Sequence, residues 1–362
     1  MSAYAIREAR PEDSPALLKL LAATAQQGSI RLTFERAPDY FHAAAISTEE
    51  PEIWVMDKAG DGIIGTFSIG KRRVFINGQP EQVRYGSDLR IHPDHQGGRT
   101  LFRLFGRYRE RMHNDWMQTV ILDENEASLA TVGSGRSILP QYIPAGHFTT
   151  WLISLRRRER HPCSAVRRAT AADVADMQAF FIQQAGQKQF FPYYDFSRIG
   201  TEDPYYRHLA LRDFFILREH GVITGIAALW DQKGFKQTRV TGYSRSLRLL
   251  RPLVNGITRL TGHLPLPAVN SVSSYLALHC VLVKDNQPRR FARLLRTIRH
   301  ALNDSGVQAI ACGFDRRDPL LNVARQYPGH ALHSRHFIAT YHPENTASLD
   351  LARLQYPEIC RL

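Results

Sequence analysis

The feature that most constrains the fold of this chain is an internal repeat. A short apolar strand, a polar turn and an amphipathic helix begin at Ile6, and the same series begins again at Val166, 160 residues later. Gly65 and Gly225, which lie in the predicted hairpins that follow, keep the same spacing. Each copy reads strand, helix, hairpin, strand, helix, strand, helix, strand. The sequence therefore predicts a duplicated α/β domain.

The repeat also predicts the domain boundaries. We place the first domain at 1–155, a charged linker at 156–164 and the second domain at 165–362. Late segments of the two copies match at a spacing of about 190 residues, so the second copy holds an insert, at about 241–270. Arginines and leucines dominate the insert, and Pro252 interrupts it. A helical lid over the interface between the copies and a segment lying on an anionic membrane surface are both open interpretations.

Composition limits the function classes. The chain has 362 residues and a formal net charge of +13, mostly from arginine, which favours a polyanionic partner such as a nucleotide cofactor, RNA or a lipid headgroup. No stretch is apolar enough to predict a membrane span, and the N-terminal residues are unlike a secretory signal. The four cysteines are scattered, as in a reduced compartment. We therefore predict a cytoplasmic protein without a transmembrane segment.

The segment that carries chemistry runs from Val83 to Met112. Residues 83–91 alternate between apolar and polar, which indicates a strand, and the apolar spacing from Leu101 onward indicates a helix. Between them lies a glycine-containing turn, so free backbone N–H groups and the positive end of the helix dipole meet at one place. This arrangement is typical of an anion-binding site, and equally of a plain glycine turn that precedes a solvated, basic helix face. His92 and His95 lie near the turn without a third ligand, and we predict no metal site.

The residues from Ile91 to Leu104 resemble the acyl-CoA-binding motif of the GNAT (Gcn5-related) N-acetyltransferases, with Arg99 and Leu101 standing where the motif has its second and third glycines. The order of elements over about residues 4–155 fits the same family. The resemblance implies two tandem GNAT-like acyl-CoA acyltransferase domains, each a mixed, mostly antiparallel sheet flanked by helices. It also implies that amides of the turn bind the CoA pyrophosphate and that the preceding strand splays from its neighbour to admit the pantetheine arm.

The resemblance further implies individual site residues. Asp88 becomes the candidate general base, and its structural alternative is an ion pair with Arg84 or Arg90. Val132 stands where the family has a tyrosine, so Tyr142 is the candidate general acid. The residues implied to bind acetyl-CoA are Ile91, Gln96, Gly97, Gly98, Arg99, Thr100, Leu101, Arg103 and Asn125.

The resemblance implies an N-acetyltransferase that moves an acetyl group from acetyl-CoA to the amine of a small molecule or peptide. In the second copy the turn at 284–290 lacks glycine, so this copy is predicted to keep the fold and lose the CoA site. Two alternatives stay open: an aminoacyl transferase similar to the Fem peptidyltransferases, and a non-catalytic CoA-binding protein built from decayed domains. The glycine turn favours CoA over a tRNA donor, so nucleic acid is not favoured as a partner.

Overall fold

The computed structural model describes residues 4–97 and 99–362; Gly98, a predicted binding residue, lies outside the described residues. The first half of the chain contains β1 (Tyr4–Glu8), α1 (Ser14–Ala23), β2 (Ile30–Glu35), α2 (Tyr40–Ser47), β3 (Glu49–Lys58), β4 (Gly62–Ile76), β5 (Gln79–Ile91), α3 (Thr100–Met112), β6 (Trp116–Leu122), α4 (Glu126–Val132) and β7 (Gln141–Ser154). The second half contains β8 (Val166–Arg168), α5 (Val174–Ala185), β9 (Phe214–Glu219), β10 (Val222–Trp230), β11 (Gln237–Tyr243), α6 (Arg245–Thr261), β12 (Tyr275–Val283), α7 (Pro288–Ala301), β13 (Ala309–Asp315), α8 (Leu320–Ala324) and β14 (Gly329–Thr340).

Twelve of these strands form one sheet that crosses the whole molecule. Their order is β1-β3-β4-β5-β6-β14-β7-β13-β12-β10-β9-β8. Within the described residues, neighbours pair antiparallel except at β5–β6 and β12–β13, which pair parallel. The predicted fold class, a mixed and mostly antiparallel sheet flanked by helices, is confirmed.

The two halves exchange their last strands. β7 of the first half pairs with β13 of the second along seven residues, and β14 of the second half pairs with β6 of the first along seven residues. The two exchanged strands also pair with each other at the centre of the sheet. Because each half completes the sheet of the other, burial at the centre of the sheet couples the folding of both halves.

The repeat is visible in hydrogen bonds as well as in topology. Arg7 and Asp13 form an ion pair of 2.7 Å ahead of α1, and Arg167 and Asp173 form one of the same length ahead of α5. In both copies this aspartate also accepts the N–H of the residue three positions earlier, as in a capping box. The same sequence pattern therefore builds the same helix start twice.

The segment predicted to be an insert, about 241–270, contains α6, which runs through Pro252 without a break. The strand before it, β11, pairs with β2 of the first half in a separate two-stranded sheet. Leu247 and Val254 pack inward against Val240, Tyr243 and Leu266. Among the described helices, none combines the length and the apolar character needed to span a bilayer.

Candidate functional site

The candidate site is a cleft where two neighbouring strands part. β5 and β6 pair only at Arg84–Met117 and Tyr85–Gln118 and then diverge. Gly86 stands at the point of divergence, where a Cβ atom would lie 2.6 Å from Met117 Sδ. Any larger residue would force the Met117 or Tyr108 side chain to move, so glycine allows this close approach. Beyond Tyr85, the edge of β5 that faces β6 has no partner strand among the described residues, so its backbone N–H and C=O groups border the cleft.

A bulge shapes the same strand. The pairing of β5 with β4 shifts register opposite Phe67, and Asp88 has a left-handed φ of 50°. A bulge of this kind bends the strand and re-aims the side chains that follow it. The bulge lies just beyond Tyr85, the last residue of β5 that pairs with β6, and so stands at the start of the cleft.

The cleft opens into one cavity of about 1470 Å³ that both halves of the chain line. Pockets for drug-sized ligands commonly measure roughly 300–1,000 Å³, so this cavity has room for more than one small molecule. Apolar and aromatic side chains predominate on the α3 side, and polar groups are added by the second half. Residues that represent the walls are Leu101, Phe105, Tyr108, Thr119, Ile121, Thr238, Arg251, Asn255 and Tyr275.

The glycine turn lies at the mouth of the cleft. Gly97 has a left-handed φ of 79°, and the N–H of Gln96 donates to the carbonyl of Pro93 over 3.3 Å. α3 then begins at Thr100, and Gln96 and Gly97 both line the cavity. The positive end of the helix dipole and its first N–H groups therefore lie beside the cavity, as an anion site requires.

The structure brings most of the predicted residues together. The predicted residues that line the cavity are Asp88, Ile91, Gln96, Gly97, Leu101, Asn125 and Tyr142. Asn125 also caps α4, because its Oδ1 accepts the N–H of Ser128 over 3.1 Å. Arg99, Thr100 and Arg103 are not among the described lining residues, and the Arg103 guanidinium lies 4.2 Å from the ring centroid of Tyr4.

Asp88 is held by partners that the sequence analysis did not name. Its Oδ2 accepts from Arg36 Nε over 2.7 Å and from the Tyr40 hydroxyl over 2.9 Å. Burial opposes ionisation of this carboxyl group, but the charges of Arg36 and Arg90, together with the hydrogen bonds from Arg36 and Tyr40, hold its pKa below the ordinary value. Asp88 is therefore an ionised, neutralised carboxylate, and its ion-pair partner is Arg36 rather than Arg84 or Arg90.

Tyr142 lies on β7 and lines the cavity, with its ring edge-on to Phe337 at a centroid distance of 6.1 Å. Burial raises the pKa of its hydroxyl group, and the nearby Tyr341 raises it further by a smaller amount. The hydroxyl therefore keeps its proton at neutral pH.

Lys236 is a cavity-lining group that the sequence analysis missed. Its Nζ donates to main-chain oxygen atoms of Ile359, Cys360 and Leu362. Burial, reinforced by the charge of Arg36, lowers the pKa of Lys236 to about 7. Perturbed titratable groups in a cavity are candidates for function. Nothing local marks this lysine, since it follows Gly234 and Phe235 in what reads as an ordinary surface turn.

The equivalent cleft in the second half is filled by the C-terminal segment. Cys280 has the same left-handed φ of 50° as Asp88, so the bulge is repeated. Here the N–H of Cys280 donates to Glu358 Oε2 over 3.2 Å, and the N–H of Val281 donates to the Tyr356 hydroxyl over 3.0 Å. The strand edge that borders a cavity in the first half is thus occupied by the chain itself in the second.

We call residues 356–360 of this segment the C-terminal plug. Buried polar groups surround it. The Tyr194 hydroxyl lies 2.9 Å from His279 Nδ1 and donates to Glu358 Oε2 over 3.0 Å. His279, Glu358 and Cys360 are all buried. Burial raises the pKa of Glu358 to about 7, although Arg361 and the hydrogen bonds of the carboxylate act in the opposite direction.

Comparisons with known proteins establish the fold. The sequence matches no protein-family model, and no curated protein matches it. Among solved structures, N-myristoyltransferase of Saccharomyces cerevisiae with bound myristoyl-CoA is similar with a TM-score of 0.62 and 7% identity, over 94% of this chain and 79% of that one. A GCN5-related N-acetyltransferase from Sphaerobacter thermophilus is similar with a TM-score of 0.56 and 14% identity, over 93% and 96% of the two chains. The chain therefore has the GNAT fold, and the predicted likeness is confirmed at the level of fold.

Proposed function

We propose that this protein transfers an acyl group, an acetyl group in the simplest case, from acyl-CoA to an amine. The observation that carries the proposal is the parting of β5 from β6 after only two paired residues, with the glycine turn and the start of α3 at the mouth of the cleft. An extended thioester cofactor with an anionic end fits such a site. Its pyrophosphate would lie at the turn and its pantetheine arm along the free edge of β5.

Backbone groups of the splayed strand supply the interactions that the donor needs. The amide groups of a pantetheine arm pair with a free strand edge as another strand would. An N–H group at the bulge beside Asp88 would then donate to the thioester oxygen as negative charge develops on it. The proposed CoA-binding residues remain Gln96 to Leu101 and Asn125. Arg103, which lies beside Tyr4, is proposed to lie at the periphery of the CoA site.

The amine would approach from the side of the second half, where Thr238 and Tyr275 line the cavity and their hydroxyl groups lie 3.0 Å apart. In its neutral form Lys236 keeps two N–H groups for the main-chain oxygens around it, and its lone pair would accept the proton that an ammonium group must lose before it attacks. The neutral nitrogen then bonds to the thioester carbon and the carbon–sulfur bond breaks. Tyr142 would give its hydroxyl proton to the departing thiolate. The second proton that the amine nitrogen loses would then return to the Tyr142 oxygen. Asp88 would hold Arg36 and Tyr40 in position.

Replacement of Lys236 by methionine should remove a pH dependence of the reaction. With an acceptor amine whose own pKa lies above about 9, so that it arrives as an ammonium group, kcat/KM of the parent should rise as Lys236 loses its proton near pH 7. Lys236→Met should lack that rise and fall roughly 100-fold at pH 8, a typical size for a lost general base. The exposed Lys233 supplies the matched control, since Lys233→Met should keep the parent profile. An unchanged profile in Lys236→Met would remove Lys236 from the mechanism.

The proposed function is tested by offering acyl-CoA donors of different length to a panel of amines. The donors are acetyl-, octanoyl- and myristoyl-CoA, and the acceptors should include amino acids, polyamines and short peptides. We expect CoA thiol to be released only when an amine is present, with the acylated amine detected by mass. Calorimetry should show one acyl-CoA per chain, because the equivalent cleft of the second half is filled.

Other outcomes decide between the alternatives. Tight binding of acyl-CoA without turnover across the whole panel would favour the non-catalytic binding protein. Failure to bind any acyl-CoA, by a chain whose circular dichroism shows a folded protein, would contradict the proposal itself.

A further inference from the structure

The outer face of α6 is apolar and exposed. Leu249 and Leu260 are 79% and 84% exposed, and Leu253 is 62% exposed. Leu250 and Ile257, each about half exposed, complete the face. At 3.6 residues per turn these five side chains fall within about 100° of the helix circumference. A single helix of 17 residues thus presents a continuous apolar stripe to the surroundings.

A row of positive charge lies beside this stripe. Arg245, Arg248 and Arg259 are exposed and fall on one flank of the apolar face. The sequence contains no aspartate or glutamate between Asp231 and Asp285, so no carboxylate of this segment neutralises them. The surface of α6 is therefore apolar and cationic together.

The helix is firmly attached to the protein by its other side. The Ser244 hydroxyl caps its start, and Gly262 ends it in the left-handed conformation. On the inner side, Asn255 Oδ1 accepts the N–H of Leu266 over 2.7 Å, and Thr258 is buried. The inward contacts are complete, so the exposed leucines are not a core face that has failed to pack.

We propose that the outer face of α6 docks on the surface of a bilayer that contains anionic phospholipids. An interfacial helix combines this type of apolar face with flanking arginines, whose guanidinium groups reach phosphate while the leucines enter the acyl boundary. At 1.5 Å per residue, α6 lies along ~25 Å of such a surface. A second copy of this chain would offer the same segment, which has no carboxylate to pair with the arginines. Charge complementarity therefore favours lipid over self-association.

The proposal is tested by sedimentation of the full chain with vesicles of phosphatidylcholine alone or with 30% phosphatidylglycerol, a composition typical of anionic model membranes. We expect affinity for the anionic vesicles to be roughly tenfold or more above that for the neutral ones, and to fall as salt is added. Arg245→Gln combined with Arg248→Gln should abolish most of that preference. Leu253→Ser combined with Leu260→Ser should weaken binding to both vesicles by roughly tenfold or more.

The matched control removes exposed apolar side chains elsewhere. Ile182 and Val222 are 49% and 59% exposed, and Ile182→Ser combined with Val222→Ser should leave vesicle binding unchanged. If this control and the leucine variant lost vesicle binding equally, the assignment of the docking surface to α6 would be overturned. Absence of binding to anionic vesicles would also overturn the proposal. In that case light scattering would show whether the leucines instead bury in a second copy.

Discussion

Gly97→Asp should lower the affinity for acyl-CoA roughly 10- to 100-fold, whereas Gly97→Asn should leave it within about threefold of the parent. The two variants differ by one charge at nearly the same volume. If the turn holds the pyrophosphate of CoA, a carboxylate there lies close to like charge and cancels part of the field of the α3 dipole. The neutral amide does neither.

The site allows both substitutions without disturbing the fold. Gly97 has a left-handed φ of 79°, a region that asparagine and aspartate tolerate better than other side chains. A Cβ atom at Gly97 would meet no described atom within 4 Å. Titration calorimetry at two salt concentrations is the measurement, and the gap between the variants should narrow at high salt. Equal affinities for two well-folded variants would show that the turn does not hold phosphate.

The local parts of the site follow from the sequence because they are encoded in adjacent residues. Alternation along 83–91 gives β5, the apolar spacing after Leu101 gives α3, and Gly97 marks the turn between them. The duplication was likewise predictable, since Arg7–Asp13 and Arg167–Asp173 repeat one local pattern. Where neighbouring residues determine the geometry, a single sequence carries the information.

The exchange of β7 and β14 could not be read from the sequence. Both strands alternate in the same way whether they pair within their own half or across to the other, because the side-chain period of a strand does not depend on its partner. For the same reason, the residues that contact Asp88 could not be predicted from the local sequence pattern. Arg36 follows β2 and Tyr40 begins α2, both more than forty residues from Asp88, and only the tertiary fold makes them its neighbours.

The filled cleft of the second half is also a long-range effect. The lost glycines at 284–290 indicate a changed turn, but they say nothing about the free edge of β12. That edge is satisfied by Tyr356 and Glu358, whose sequence neighbourhood shows no regular periodicity. A strand edge left open by duplication exposes unpaired N–H groups, and the chain end satisfies them.

This plug leads to a second large expected effect, on stability. Glu358→Gln should raise the free energy of unfolding by ~3 kcal/mol at pH 8.5 and change it little at pH 4.5. The reason is that burial raises the pKa of Glu358 from an ordinary 4.5 to about 7. The stability that the protonated carboxyl group provides is therefore complete below about pH 4.5 and is lost as the pH rises through 7. Glutamine cannot ionise, so the variant keeps this stability as the pH rises.

The hydrogen bonds around Glu358 make glutamine a suitable replacement. Its amide oxygen can accept from the Tyr194 hydroxyl and the Cys280 N–H, as Glu358 Oε2 does. Urea denaturation across pH 4.5 to 8.5 is the measurement, with the exposed Glu202→Gln as the control that should follow the parent curve. A variant that is less stable than the parent at pH 8.5 would mean that Glu358 is held there as a paired carboxylate, with Arg361 outweighing burial. The C-terminal plug would then be stabilised by the negative charge of Glu358, which glutamine lacks.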